Sequence, residues 1–209
     1  MGMNLILKKM HVDNMEFVTA DYIKKHCKRL DHDYDNTVRN LLAKGYLLRI
    51  FKGIFYVKTF DEIKMGTLKY SHRELVAKGL ELKGVKNWYL GLYSALMINN
   101  MTHEFFSIDY VLNDTIFRNK PMNINGYKFK FIKVKPELFG FGIEDNQIRY
   151  SDNEKTILDL IYIWKYNGKD DERIVLDLSE YAEDLSKKKI MKYSGHYPKS
   201  VRFVMERIL

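Results

Sequence analysis

The stretch from Phe17 to Lys58 constrains the fold most, because its hydrophobic period switches from helical to extended within a short span. It begins Phe17-Val-Thr-Ala-Asp-Tyr-Ile-Lys-Lys-His-Cys-Lys-Arg-Leu30. Thr19 suits a helix N-cap, and Asp21 falls in the first turn, at the positive end of the helix dipole. Val18 and Ile23 take the two positions of a hydrophobic staple, which fixes the angle of entry. Ile23, Cys27 and Leu30 then recur at i, i+4 and i+7, the spacing of one buried face. Lys24, Lys25, Lys28 and Arg29 lie mostly opposite, where they can meet phosphates.

After a turn containing Asp31, Asp33 and Asp35, a second helix is expected over Asn36-Thr-Val-Arg-Asn-Leu-Leu-Ala-Lys-Gly45. Tyr34, Val38, Leu41, Leu42 and Gly45 share its apolar side, with Gly45 placed to stop it. Asn36, Asn40 and Ala43 lie on the other side, flanked by Arg39 and Lys44; Thr37 is counted with these candidate contacts. Asparagine pairs bidentately with adenine, arginine pairs with guanine, and lysine binds phosphate as a point charge. A helix face can be polar for solvation alone, and the three aspartates would repel phosphate unless they cap the helix start. The decisive neighbour is the hairpin. Leu48-Arg-Ile-Phe51 and Ile54-Phe-Tyr-Val57 are β-prone runs joined through Lys52-Gly53, where glycine tolerates positive φ. Arg49, Lys52 and Lys58 make that ribbon basic. Two short helices, a stop and a basic hairpin predict a winged helix-turn-helix that binds double-stranded DNA through the second helix and the wing.

Charge supports a module of this kind. Residues 1–60 hold eleven Lys and Arg against six Asp and Glu, a surplus of five, whereas the other 149 residues hold 24 against 21. A basic first third with a near-neutral remainder suggests a polyanion-binding domain attached to something else. Neither helix joins a broad apolar face to a strongly cationic one, so a membrane-surface module is disfavoured. No apolar run approaches the length needed to span a bilayer. Lys8 and Lys9 interrupt Leu5-Ile-Leu7, so no secretory leader is expected. The single cysteine, Cys27, excludes an internal disulfide framework and suits the cytoplasm. Its place on an apolar face makes it a core residue.

The expected fold is α+β: a winged helix-turn-helix over residues 1–66, then a mixed α/β domain over 67–209. A helix from Asn4 to Met10, with Met3, Ile6 or Leu7, and Met10 inward, precedes the helix pair. Past the wing, Thr59 to Lys69 loses periodicity, and the boundary is placed near Gly66. Ser71 to Leu82 reads as a helix, Trp88 to Leu90 as a strand, Leu92 to Asn99 as a helix, and Phe105 to Leu112 as a strand. Asn125-Gly126 is a hairpin turn into Tyr127-Lys-Phe-Lys-Phe-Ile-Lys-Val-Lys135. There Lys128 and Lys130 share one phase, and Lys133 and Lys135 the other. A β-bulge at Phe131-Ile132 would keep all four exposed, either as a second nucleic-acid or partner surface or, preferably, as the guard of an edge strand. Ile148 to Tyr150 is a short strand. Ser151-Asp-Asn-Glu154 has capping-box spacing ahead of a helix apolar around most of its circumference. Asp159 then falls among buried neighbours and needs a partner, Lys155 or a tyrosine hydroxyl. Helices around Leu176–Leu185 and Ser200–Ile208 end the chain.

Three segments in this order resemble the AbiEi-type antitoxins of abortive-infection, type IV toxin–antitoxin systems: Leu47-Leu-Arg-Ile-Phe-Lys-Gly-Ile-Phe-Tyr-Val57, Tyr89-Leu-Gly-Leu-Tyr-Ser-Ala-Leu96 and Tyr150-Ser-Asp-Asn-Glu-Lys-Thr-Ile-Leu-Asp159. The resemblance spans most of the chain. It implies a transcriptional repressor whose winged helix binds repeats in its own promoter, and a second domain that counters a nucleotidyltransferase-like toxin without a stable toxin complex. A monomer in solution is expected. The acidic turn before the second helix departs from the usual pattern.

Catalytic motifs are sparse, and no catalytic residue, metal site or cofactor is expected. A nucleotidyltransferase needs a Gly-Ser turn followed by two aspartates one residue apart. Gly91 and Ser94 precede Asp109, but Asp114 is too distant to complete that pair. The histidines lack His-Glu-x-x-His or cysteine–histidine spacing. Gly140-Phe-Gly142 lacks the later glycine and the lysine–serine pair of a phosphate loop. Two alternatives stay open: a winged-helix module for protein or RNA, and a metal-dependent enzyme, either a nuclease built on Asp145, Asp152 and Glu154 or a nucleotidyltransferase.

Overall fold

Capping chemistry sets most helix boundaries in the computed structural model, which describes residues 5–182 and 185–209. Met3 and Asn4, expected on the first helix, lie outside the described residues. That helix, α1, spans Leu5–Val12 and buries Ile6, Leu7 and Met10. A short strand missed by the sequence reading, β1 at Phe17–Thr19, comes next. Helix α2 (Ala20–Arg29) starts at Thr19, whose hydroxyl accepts from the Tyr22 amide at 3.4 Å. Helix α3 (Tyr34–Ala43) starts at Asp33, whose carboxylate accepts from the Asn36 amide at 2.8 Å. One of the three aspartates therefore serves the helix start, where negative charge is favoured. At the other end Gly45 has φ +72°. Its amide bonds Leu42 and that of Tyr46 bonds Leu41, the paired reversal that ends a helix on a left-handed residue.

Strands β2 (Leu47–Phe51) and β3 (Ile54–Val57) follow, and β1 completes an antiparallel sheet in the order β1-β3-β2. Register shifts between Arg49 and Phe51, a bulge at Ile50. Gly53, at the turn, has φ +78°; a Cβ there would sit 3.3 Å from the Ala20 side chain at the start of α2. Ile6, Leu7 and Met10, Val18, Ile23 and Cys27, Val38 and Leu41, and Leu47, Phe55 and Val57 form one core. Cys27 is buried and free, as expected of a core residue.

The segment after the sheet is ordered by local chemistry that the sequence reading passed over. Thr59 and Glu62 form a full capping box at the start of α4 (Phe60–Met65), which ends at Gly66, φ +69°. Glu62 also accepts from the Tyr56 hydroxyl and the Lys69 amide, each at 2.6 Å. Helix α5 (His72–Leu82) has a second capping box on Ser71 and Glu74 and packs against β2 and β3. Its Gly79 lies where a Cβ would come within 2.7 Å of Ile50 and 2.8 Å of the Phe51 ring. The chain forms two compact units, Met1–Lys86 with Ile124–Gly126, and Asn87–Asn123 with Tyr127–Leu209. The boundary expected at Gly66 thus falls inside the first unit, because α5 belongs with the hairpin it packs on.

The second unit is α+β and holds all but Ile124 of a six-stranded mixed sheet. Its strands are β4 (Trp88–Leu90), β5 (Ile108–Asn113), β6 (Met122–Ile124), β7 (Tyr127–Lys133), β8 (Ile143–Asn146) and β9 (Ile148–Ser151), in the order β6-β7-β5-β4-β9-β8. The Asn125-Gly126 turn has both residues at positive φ, 52° and 86°. Two expectations for the lysine strand are corrected. Strand β7 lies between β6 and β5, so it is no edge, and it pairs with β5 in unbroken parallel register from Ile108↔Lys128 to Asn113↔Lys133, so there is no bulge at Phe131-Ile132. The change of lysine phase falls where the strand ends. Strand β5 begins at Ile108; Phe105, expected at its start, is almost fully exposed.

Helix α6 spans Tyr93–Ile98, and α7, Asn153–Tyr166, is central, with Glu154 to Ile161 all buried. The N-cap of α7 is Asp152, whose carboxylate accepts from the Lys155 amide at 2.9 Å; the capping box expected on Ser151 is absent. Ser151 instead shares a 2.7 Å hydrogen bond with the Thr156 hydroxyl, and Glu154 accepts from the Ser186 amide. The end of the chain is α8 (Asp171–Leu178), a 3-10 turn (Ser179–Tyr181), α9 (Lys187–Ser194) and α10 (Lys199–Ile208). The helix expected over Leu176–Leu185 starts earlier because Asp170 caps it, accepting from the Glu172 and Arg173 amides. Helices α9 and α10 pack against α7.

Candidate nucleic-acid interface

Position on α3 decides which side chains reach solvent. Asn36, Arg39, Asn40, Ala43 and Lys44 are exposed, within an arc of about 140° at 3.6 residues per turn. Val38 and Leu41 form the opposite, buried side. Thr37 is a correction: only 5% exposed, it sits one turn from Leu41 on the buried flank and is not available as a contact. On α2, Lys24, Lys25, Lys28 and Arg29 are exposed; on the hairpin, so are Arg49 and Lys52, with Lys58 half-buried.

Electrostatic partners are few on these surfaces. Among the described residues, Lys25, Lys28, Arg29, Arg39, Lys44 and Lys52 make no ion pair. Two cations rest on rings instead. The Lys24 ammonium is 5.4 Å from the Tyr34 ring centre, and the Arg49 guanidinium 5.6 Å from that of Phe55. Such contacts orient a cation without neutralising it. The apolar stripe that holds Tyr34 and the β-prone run that holds Phe55 carry no sign of this support, because it depends on packing between elements. Burial first, then the nearby Asp35, holds the Tyr34 hydroxyl above its ordinary pKa.

The lysine strand does not form one strip. Lys128 is exposed, and the half-buried Lys130 donates its ammonium to the Asn119 carbonyl. Lys133 and Lys135 are exposed but in the other phase, past or at the end of β7.

The acidic residues of the nuclease alternative have other partners. Asp145 pairs with Arg149 at 3.1 Å. Asp152 and Glu154 share Lys189, each at 3.2 Å, and Asp152 also accepts from Tyr193 at 3.0 Å. Among the described residues no three of His, Cys, Asp and Glu converge as metal ligands. Asp159 has both partners foreseen for it: the hydroxyls of Tyr197 and Tyr89 at 2.7 and 2.9 Å, with Lys155 at 3.6 Å. Burial pushes its carboxyl up and the Lys155 ammonium down.

These features define a two-unit α+β protein whose first unit presents a polar, cationic helix beside a cationic hairpin. No family model matches the chain, and no curated protein does. Among solved structures it is similar to the RV2827C protein from Mycobacterium tuberculosis, with a TM-score of 0.58 and 12% identity over 97% of this chain and 75% of that one. At that identity the likeness concerns the fold alone. Among the described residues no helix is long and apolar enough to cross a membrane.

Proposed function

We propose that the first unit is a winged helix-turn-helix that binds double-stranded DNA, with α3 in the major groove and the β2–β3 hairpin as the wing. The observation that carries this reading is the α3 face: Asn36, Arg39, Asn40 and Lys44 are all exposed, and Arg39 and Lys44 lack carboxylate partners among the described residues. The element order α1-β1-α2-α3-β2-β3, with β1 paired to β3, supports it, and the hairpin turn is anchored at the start of α2, where the Ala20 amide donates to the Gly53 carbonyl at 2.7 Å. Asn36, Arg39 and Asn40 read base edges. Lys24, Lys25, Lys44, Arg49 and Lys52 neutralise phosphates.

On the segments quoted above, the protein is proposed to be an AbiEi-type antitoxin: a cytoplasmic repressor, monomeric in solution, that binds promoter repeats and counters a nucleotidyltransferase-like toxin without a stable complex. Electrophoretic shift on the DNA upstream of its own gene, against random competitor, tests the first part. Competitor-resistant binding is expected. Asn36→Ala, Arg39→Ala and Asn40→Ala should each cost ~1–3 kcal/mol on the specific site and relax sequence preference. Equal losses on specific and random DNA would remove the base-reading role. Co-expression with a neighbouring nucleotidyltransferase-like gene tests the second part, through relief of its toxicity.

A further inference from the structure

A cavity in the second unit has chemistry that the DNA-binding reading does not use. It measures about 360 Å³, within the range of small-ligand sites at roughly 300–1,000 Å³. Leu96, Leu160 and Leu178 form an apolar floor. The walls are aromatic. Tyr93 from α6 packs on Phe106 at 4.7 Å and faces Trp164 of α7 at 6.4 Å, with Tyr181 from the 3-10 turn also lining the space. Three carboxylates line it too: Glu104, Asp177 and Glu180.

One cation is already present. The Lys169 ammonium lies 3.3 Å from the centre of the Trp164 ring and 2.8 Å from the Asp177 carboxylate. Among aromatic rings a tryptophan face holds an ammonium best, and here the Asp177 carboxylate closes the other side. Lys169 follows α7 on the loop into α8, so it reaches the ring from a short connection. Asp177 is also paired with Arg173 at 3.1 Å, so three carboxylates against one ammonium and one guanidinium leave a formal surplus of one negative charge. The field is felt locally: burial, and then Asp177 and Glu104, hold the Tyr93 hydroxyl above its ordinary pKa. In a chain of net charge +8 this is a local reversal of sign, and long-range attraction for a cation does not account for it.

We propose that this cavity is a binding site for an aliphatic cation, a primary amine or guanidinium on an apolar stem, and that Lys169 is its internal occupant, displaced or joined when the ligand enters. The stem lies along the leucine floor, and the charged head takes the Trp164 face between Asp177 and the two glutamates. A free polyamine and a lysine or arginine side chain of a partner protein share this chemistry.

Titration of the full-length protein followed by tryptophan fluorescence, repeated in Trp88→Phe so that Trp164 alone reports, tests the site. Spermidine serves as the free-amine probe and an acetylated, amidated Gly-Arg-Gly peptide as the side-chain probe, both against sodium chloride at equal ionic strength. A saturable change with either probe is expected, and the probe that binds tighter identifies the source. The Glu104→Gln/Glu180→Gln pair should weaken it roughly three- to thirtyfold, the range of a partly desolvated cation–π or charge contact. Lys169→Ala should tighten it by a similar factor, and n-butylamine should restore the melting temperature that this variant loses. No response beyond the salt control in the wild-type protein would overturn the proposal. So would a response that survives unchanged in the double glutamine variant, or one that Lys169→Ala leaves as it was.

Discussion

The lysines of the α2, α3 and hairpin surface in the first unit and those on and around α7 in the second are treated in opposite ways, although the first unit also pairs Lys9, Lys69 and Lys78 with carboxylates. In the first, Lys25, Lys28, Lys44 and Lys52 stand in solvent without carboxylates, among the described residues. In the second, Lys155, Lys165, Lys169 and Lys189 are each tied to an aspartate, Lys189 to a glutamate as well. An unpaired surface cation contributes little to folding but keeps its charge available for a polyanion. A paired, half-buried cation is the reverse: its field is cancelled locally, and its removal leaves a carboxylate stranded. Substitutions should therefore separate stability from binding between the units.

The largest stability effect is expected at Asp159. Its carboxylate is fully buried and holds Lys155, Tyr89 and Tyr197 together. Asp159→Ala leaves the Lys155 ammonium without its counter-charge in the core, and such a loss costs roughly 3–5 kcal/mol. Denaturant unfolding measures it. The Lys155→Met/Asp159→Leu pair sharpens the point, since it removes both charges while keeping volume. It should recover most of the loss; a double variant as unstable as the single one would show that the tyrosine hydroxyls, rather than the ion pair, set the requirement.

A smaller effect, with a pH signature, is expected at Glu62 in the first unit. Burial raises its pKa, but hydrogen bonds from Tyr56, Lys69 and Thr59 outweigh it and hold the carboxyl below its ordinary value. A depressed folded-state pKa contributes stability that is present above the unfolded value, ~4.3, and lost as pH falls through the folded one. Glu62→Gln places an amide where the Thr59 and Lys69 amides already donate, so a loss of ~1–3 kcal/mol is expected at neutral pH. The variant should also show a flatter stability profile on acidification than the wild-type protein. Equal acid slopes in the two would assign the acid sensitivity to another carboxylate.

How far these features could be read in advance depends on the reach of the forces involved. The helix pair, the Gly45 stop and the Lys52-Gly53 reversal follow from neighbours within a few residues, and the structure forms each of them. Asp159 was legible as a buried carboxylate in need of a partner, although Tyr197, 38 residues away, was not foreseeable by name. Strand β1 was missed because three residues carry no period; its existence depends on pairing with β3. The place of β7 inside the sheet likewise depends on its parallel register with β5. Thr37 was misjudged for a different reason: a small hydroxyl on the flank of a helix fits either side, and only packing decides. The Thr59–Glu62 capping box is local and readable, but a helix of six residues has too few turns to show a period. At Ser151-Asp152 two capping residues competed, and the Thr156 hydroxyl drew Ser151 away.

The smallest effects on stability should fall where binding is most affected. Lys25→Gln and Lys44→Gln remove exposed charges with no ion pair among the described residues, so their unfolding free energies should stay within about 0.5 kcal/mol of wild type. Each lost phosphate contact should nonetheless reduce the slope of log affinity against log salt by about one unit, on specific and random DNA alike. Exposed lysines of the second unit provide the control. Lys133→Gln and Lys135→Gln remove the same charge, so they lower any purely long-range attraction equally, but they should leave the salt slope unchanged if the contacts belong to the α3 surface. A slope that falls with all four substitutions would mean that the DNA follows cations on both units, and the contrast drawn between them would then hold for stability alone.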